Sequence, residues 1–242
     1  MKTKLLLLLL ISTLGLSAVA EAKATKEGDR LNESYTTMKE ILAIPDDIPQ
    51  DLIKKASCVV VFPSVKKAAF IIGGSYGRGV ITCRSGKDLN GGWSAPAMMA
   101  LEGLSVGFQI GGQATDFVLL VMNDAGAKSI MDSKVKLGAD ASIAAGPKGR
   151  TVEAATDIVM QAEILSYSRS RGLFAGVSLA GSTLRSDDDA NKVVYGKELT
   201  ARQIVRDGAV GPTLTGAKLV HLLNRVSPAN GMAPMAKAKK AK

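Results

Sequence analysis

The chain has 242 residues, 31 Lys+Arg against 22 Asp+Glu, 25 Gly, two Cys, one His and ten aromatic side chains. With 46% apolar and 22% charged residues, general disorder is excluded, and the length allows a sizeable core in one domain. One histidine and two cysteines cannot build the usual protein-only zinc site, and any Ser-His-Asp triad would have to run through His221.

The formal charge of +9 is mostly terminal. Lys2 and Lys4 near the start, and Lys237, Lys239, Lys240 and Lys242 at the end, lie in stretches without an acid. Without them the body is close to neutral, so the basic stripe with interleaved aromatics that nucleic acid requires is absent. Met1–Lys4 is a positive n-region, Leu5–Leu16 an apolar run, and Ala18-Val19-Ala20 an A-x-A pattern. This is the anatomy of a secretory signal cleaved after Ala20, since the run is shorter than the ~20 residues of a membrane span. The expectation is an exported, periplasmic protein of a bacterial envelope. Export would place Cys58 and Cys83 in an oxidising compartment, where they could form one bridge. The alternative, two small buried hydrophobes, is preferred, because their registration depends on geometry that spacing does not fix.

Residues 21–28 are polar and read as a flexible lead-in to a domain spanning 29–226. From Asp29, Leu31, Tyr35, Met38, Ile41 and Leu42 recur at helical spacing, and Pro45-Asp46-Asp47 stops the helix. A second short helix starts at Pro49 and ends near Ala56. The period then changes. Cys58–Phe62, Ala68–Ile72 and Ser75–Arg84 read as three meander strands, with Pro63–Lys67 as a turn.

In Gly103–Gly112, period two places Leu104, Val106, Phe108 and Ile110 on one face and mostly glycine on the other. Gly172–Gly181 repeats the design. Glycine inside strands marks bends or close approach, so the predicted sheet is strongly curved and partly closed. Further predicted elements are a strand at Phe117–Met122, a helix at Asp124–Met131 capped by Asn123 or Asp124, and small-residue strand or loop at Gly138–Gly146. A turn at Gly146–Arg150 and a weakly alternating stretch over Asp157–Arg171 follow. Asp187–Asp189 reads as a solvated acidic loop before a last strand at Val193–Gly196. Threonine-capped helices follow near Thr200–Arg206 and Thr215–Leu223. Residues 227–242, a Lys/Ala-rich tail, have no means of forming a core. The fold class expected is α+β: a strongly curved, partly closed antiparallel sheet with short N- and C-terminal helices.

Several blocks then resemble, in order, those of the SYLF domain. They are Ala56–Pro63, Gly73–Gly79, Trp93–Ala97, Gly107–Gly112, Leu137–Asp140, Ala145–Arg150, Tyr167–Gly176 and Asn191–Gly196. The resemblance covers most of residues 30–225 and implies a lipid-binding module rather than a catalyst. Eukaryotic members are tied to phosphoinositide membranes and, in some adaptors, to actin. Here the leader would remove both as partners, adaptor modules do not flank the domain, and Glu33 and Glu40 beside Arg30 and Lys39 make the first helix no basic wedge.

Cations available for anionic head groups are Lys54, Lys55, Lys66, Lys67, Arg78, Arg150, Arg169 and Arg171, with Arg150 and Arg169 inside the family-like blocks. Glycine loops of nucleotide-binding type are missing, since neither G-x-x-x-x-G-K-[ST] nor an ordered G-x-G-x-x-G occurs. His221, amid Leu219, Val220, Leu222 and Leu223, reads as helix packing, and Asp187–Asp189 lacks calcium-loop spacing. The reading is a non-enzymatic protein without cofactor or metal, contacting anionic phospholipid or another envelope lipid. The alternative is a structural envelope protein acting by self-association or protein docking.

Overall fold

The computed structural model describes residues 26–44, 48–86, 89–131, 134–147, 161–170, 173–176 and 179–229, with backbone alone at 67–73, 104–113, 170 and 173–176. Helix α1 covers 26–43 and α2 covers Gln50–Lys55. Strands β1 (Cys58–Cys83) and β2 (Ala97–Val121) follow, then α3 (Asp124–Met131), β3 (Lys134–Lys136), β4 (Ile143–Ala145), β5 (Ile164–Ser170), β6 (Leu173–Gly176) and β7 (Thr183–Ser186). The chain continues with α4 (Asp188–Tyr195), α5 (Ala201–Val205) and α6 (Leu214–Val226).

The meander expected between residues 58 and 84 is instead one continuous strand. β1 pairs antiparallel with β2 from Cys58↔Val121 to Ile81↔Ala97, interrupted by bulges at Phe62/Val65 and Ala69/Ile71. Pro63–Lys67 is therefore a bulged stretch of strand, not a turn. A straight strand of this length would span ~85 Å, yet the Cα atoms of Cys58 and Cys83 are 3.9 Å apart. The two-stranded ribbon bends back until its outgoing and returning limbs touch. A Cβ at Gly79 would lie 2.0 Å from the Val61 carbonyl oxygen, so only glycine permits the approach. The limbs are joined by a Cys58–Cys83 disulfide, which corrects the unpaired reading.

β2 is the hub of a seven-stranded sheet among the described residues. Its last limb pairs β5 through Asp116↔Arg169 to Val121↔Ile164, and its first limb pairs β7 through Met99↔Ser186 to Glu102↔Thr183. β6 pairs β5 antiparallel, so the glycine-rich segments around 107 and 176 share one strongly curved sheet, as their composition suggested. The exception to antiparallel pairing is β4, which runs parallel to β5.

Both faces of this sheet are buried around the two ends of the β1–β2 ribbon. Cys58, Val60 and Phe62, with Phe117, Leu119 and Val121, pack against α3 and α5. The alternate residues Val59, Val61, Val118 and Leu120 pack against α1, α2 and α6. Two covered faces explain why these strands read as unbroken apolar runs. Asn123 Oδ1 caps α3 by accepting from Gly126 N–H at 2.8 Å. Thr200 and Gln203 form a capping box on α5, and Thr213 rather than Thr215 caps α6.

The stretch Val193–Tyr195 belongs to α4, not to a strand. Its Asn191 Oδ1 accepts from Met98 N–H at 2.7 Å, Tyr195 donates to the Pro96 carbonyl at 2.5 Å, and Gly196 ends the helix at φ 67°. α1 is already helical at residue 26, three residues before Asp29, which brings Glu27 into the interior. His221 is exposed on α6 instead of packed. Of the expected turn at 146–150, residues 148–150 lie outside the described residues, as do 157–160 and 171 of the stretch at 157–171.

Candidate functional site

Where α1 crosses the bent ribbon, four charged side chains are drawn together below an open cleft. Arg30 is 5% exposed, Glu27 1% and Asp187 6%. Arg30 Nη1 donates to Asp187 Oδ2 at 3.0 Å and its Nη2 pairs with Glu27. Arg78, on the returning limb of β1, places Nε and Nη2 at 3.0 and 2.7 Å from the same Asp187 oxygen and Nη1 3.5 Å from Glu27. Asp187 is thus no solvated loop residue. It precedes α4, and its backbone N–H donates to Met98 O at 2.9 Å.

Burial would raise the Asp187 carboxyl, but the hydrogen bonds and charge of Arg78, then the charge of Arg30, outweigh it and hold the group below the usual carboxylate range. Burial lowers Arg30 from its ordinary value against the opposing charge of Glu27. Two cations and two carboxylates compensate one another, as a buried cluster must.

The cleft above has a volume of about 430 Å³. Lys26, Asp29 and Glu33 line its α1 side. Ser64 and Lys66 line it from the outgoing limb of β1, and Tyr76 and Arg78 from the returning limb. Ser64 takes φ 55°, and its N–H is held by Asp116 Oδ1 at 2.9 Å, which shapes the bulge at this wall. Tyr76 is 47% exposed, one of two large hydrophobic side chains so exposed among the described residues.

The eight predicted cations part company here. Lys66 and Arg78 meet at the cleft, Lys66 exposed and Arg78 turned toward Asp187. Arg169 on β5 donates to Asp116 Oδ2 at 2.8 Å and pairs with Glu40, clasping β2, β5 and α1 together. Lys54 and Lys55 are exposed in the last turn of α2, with Lys54 Nζ 3.1 Å from Asp51, and neither lines the cleft. Lys67 is described in its backbone alone, paired with Gln113, and Arg150 and Arg171 lie outside the described residues. Sequence reasoning missed Lys26, Glu27, Tyr76 and Asp187. The signal for Asp187 was an acidic run beginning immediately before a helix, where carboxylates belong.

A second buried cation, Arg84, faces no carboxylate in the cluster that holds it. Its guanidinium donates to the carbonyls of Lys54, Ala56, Gly91, Ser227 and Pro228 at 3.1–3.3 Å and lies 4.7 Å from the centre of the Trp93 ring. It gathers the C-terminal ends of α2 and α6, which suits a cation at helix C-termini. Among the described residues no three His, Cys, Asp or Glu gather as a metal site, and no helix is long and apolar enough to cross a membrane.

Residues 102–226 match the family described as Ysc84, Las17-binding protein actin regulator. The chain is 35% identical over 202 residues to an SH3 domain-containing protein of Schizosaccharomyces pombe, covering 82% of this chain and 46% of that one. It is 35% identical over 191 residues to LAS seventeen-binding protein 3 of Saccharomyces cerevisiae, with 78% and 40% coverage. Against SH3 domain-containing YSC84-like protein 1 of Homo sapiens it is 34% identical over 163 residues, with 66% and 46% coverage. The chain spans about half the length of these curated relatives or less. The family description refers to Las17 and actin regulation, and one relative is named for binding Las17; neither gives support to the exclusion of actin that the leader suggested. Most of the sheet hub, from residue 102 onward, α4 with its Asn191 and Tyr195 anchors, and both threonine-capped helices fall inside the matched region, and on that match this chain belongs to the Ysc84 family, whose domain is the SYLF domain.

Proposed function

We propose that the protein is a non-enzymatic, exported binder of lipid or membrane surface, taking the anionic head group of an amphiphile at the cleft between α1 and the β1 ribbon. The observation that carries this is the pairing, on one open rim, of the exposed Lys26 and Lys66 with the half-exposed Tyr76 ring. Ammonium groups meet phosphate, and a tyrosine ring sits at the boundary between head group and acyl chain. The buried Arg30–Asp187–Arg78–Glu27 cluster gives that rim a rigid floor. Its two cations and two carboxylates balance in charge, and the exposed lysines share the rim with Asp29 and Glu33. The leader at residues 1–20 supports delivery to the envelope.

The test is co-sedimentation with vesicles of phosphatidylcholine containing phosphatidylglycerol. The protein is expected to sediment with them and not with phosphatidylcholine alone, and added salt is expected to weaken the association. Lys66→Glu combined with Tyr76→Ala should lower binding about tenfold or more, from ~1 kcal/mol for each interfacial charge lost or reversed and the lost ring contact. Equal sedimentation of the double variant and the parent would remove the cleft from the reading.

A further inference from the structure

α6 carries a second face of distinct chemistry. Leu219, Leu222 and Leu223 point into the core. The exposed residues of the helix are Leu214, Lys218, His221 and Arg225. At 100° per residue they fall within an arc of about 60°, a single stripe ~16 Å long. No carboxylate occurs anywhere in Leu214–Val226. Leu214, at the N-terminal end of the stripe, is 94% exposed.

α1 lies alongside, with Lys218 Nζ donating to Asn32 Oδ1 at 3.3 Å. The acids of α1 turn toward the cleft: Asp29, three residues before Asn32, and Glu33 line it, and Glu40 pairs with Arg169. The edge shared with Asn32 carries exposed Thr36 and Lys39. The joined surface therefore holds three permanent cations, Lys39, Lys218 and Arg225, together with a histidine and a leucine, and is bordered on the cleft side by Asp29.

We infer that this α6–α1 face lies against the plane of an anionic bilayer, with Leu214 entering the interface at one end. The inference rests on the membrane reading above and adds the surface that meets the bilayer: the cleft takes one head group, and the stripe takes the sheet of phosphates around it. Long cationic stems reach a phosphate plane while packing along the helix, and an exposed leucine beside them supplies the apolar contact that charge alone lacks. The absence of acids along α6, and the excess of three cations over the one bordering acid of α1, is the complementarity that a negative surface requires.

The full-length protein is measured against phosphatidylcholine vesicles with and without phosphatidylglycerol. Lys218→Gln with Arg225→Gln should lower partitioning about 25-fold, from a factor of about five per cation. Leu214→Ser should lower it severalfold. Lys134→Gln with Lys136→Gln, the same charge loss on the exposed positions of β3, should change it less than about twofold. If the α6 pair behaves like the β3 pair while the cleft variant loses binding, the α6 face is overturned and the cleft reading stands. If the parent binds neither vesicle, both fall. If the α6 pair loses capture of polyglutamate yet keeps vesicle binding, the face belongs to an acidic protein partner and the bilayer is overturned.

Discussion

Asp187 accepts three hydrogen bonds on one oxygen from two guanidiniums that descend from different elements, Arg30 from α1 and Arg78 from β1. Removing its charge leaves two cations facing Glu27 alone, so Asp187→Asn should destabilise the fold by about 3 kcal/mol in urea unfolding. The same residue sets a pH dependence. Its folded-state carboxyl is held below the unfolded value of about 3.9. Its contribution is whole above that value and is lost as pH falls below it toward the lower folded value. Stability of the parent should therefore drop more steeply below about pH 4 than that of Asp187→Asn. Parallel acid limbs in the two proteins would show that Asp187 is not held by its arginines. Residue chemistry of this kind was half legible: Arg78 stood out as a candidate cation, but its partners are 51 and 109 positions away along the chain.

Among the elements, the β1–β2 ribbon decides the architecture. Its limbs meet because glycine lets the backbone approach the Val65 side chain at 77 and the Val61 carbonyl at 79, and the Cys58–Cys83 bridge joins them where they meet. Closing a loop of 25 residues removes unfolded-state entropy worth about 3 kcal/mol. Cys58→Ala with Cys83→Ala is expected to keep the far-ultraviolet circular dichroism of the parent and to lower the urea midpoint accordingly. A midpoint unchanged from the parent would mean that the limb contact alone closes the ribbon. Strand identity here was legible from β-branched residues and glycine spacing. Strand continuity was not, because a bulge at Pro63-Ser64 and a turn share the same residues, and it is the pairing with β2 on both sides of the bulge, with the Ser64–Asp116 bond between, that distinguishes them.

At the scale of the whole molecule, one sheet divides two apolar clusters, and alternate residues of β1 and β2 belong to both. Neither cluster can dissolve without exposing the other through the shared strands. The single tryptophan, Trp93, is 5% exposed in the cluster under α6, so it reports on that side directly. Its fluorescence and the circular dichroism of the whole chain should follow one superimposable urea transition. Two separated midpoints would show that the faces fold independently.

The periodicities of the sequence were enough for the class of fold, the helices from residues 29, 49, 124, 200 and 215 onward to within a few residues of their ends, and the curvature implied by glycine, because these are properties of neighbours along the chain. The Val193–Tyr195 run misled for the same reason: three residues of strand preference cannot outweigh Asn191 and Tyr195 anchored to Met98 and Pro96 at the start of β2, nearly a hundred positions earlier. The pairing of Cys58 with Cys83, the burial of Asp187, the cage around Arg84 and the cleft beneath α1 were decided by the tertiary structure. Each joins groups distant in sequence, and it is the closing of the ribbon that brings their charges and backbones within a few ångströms.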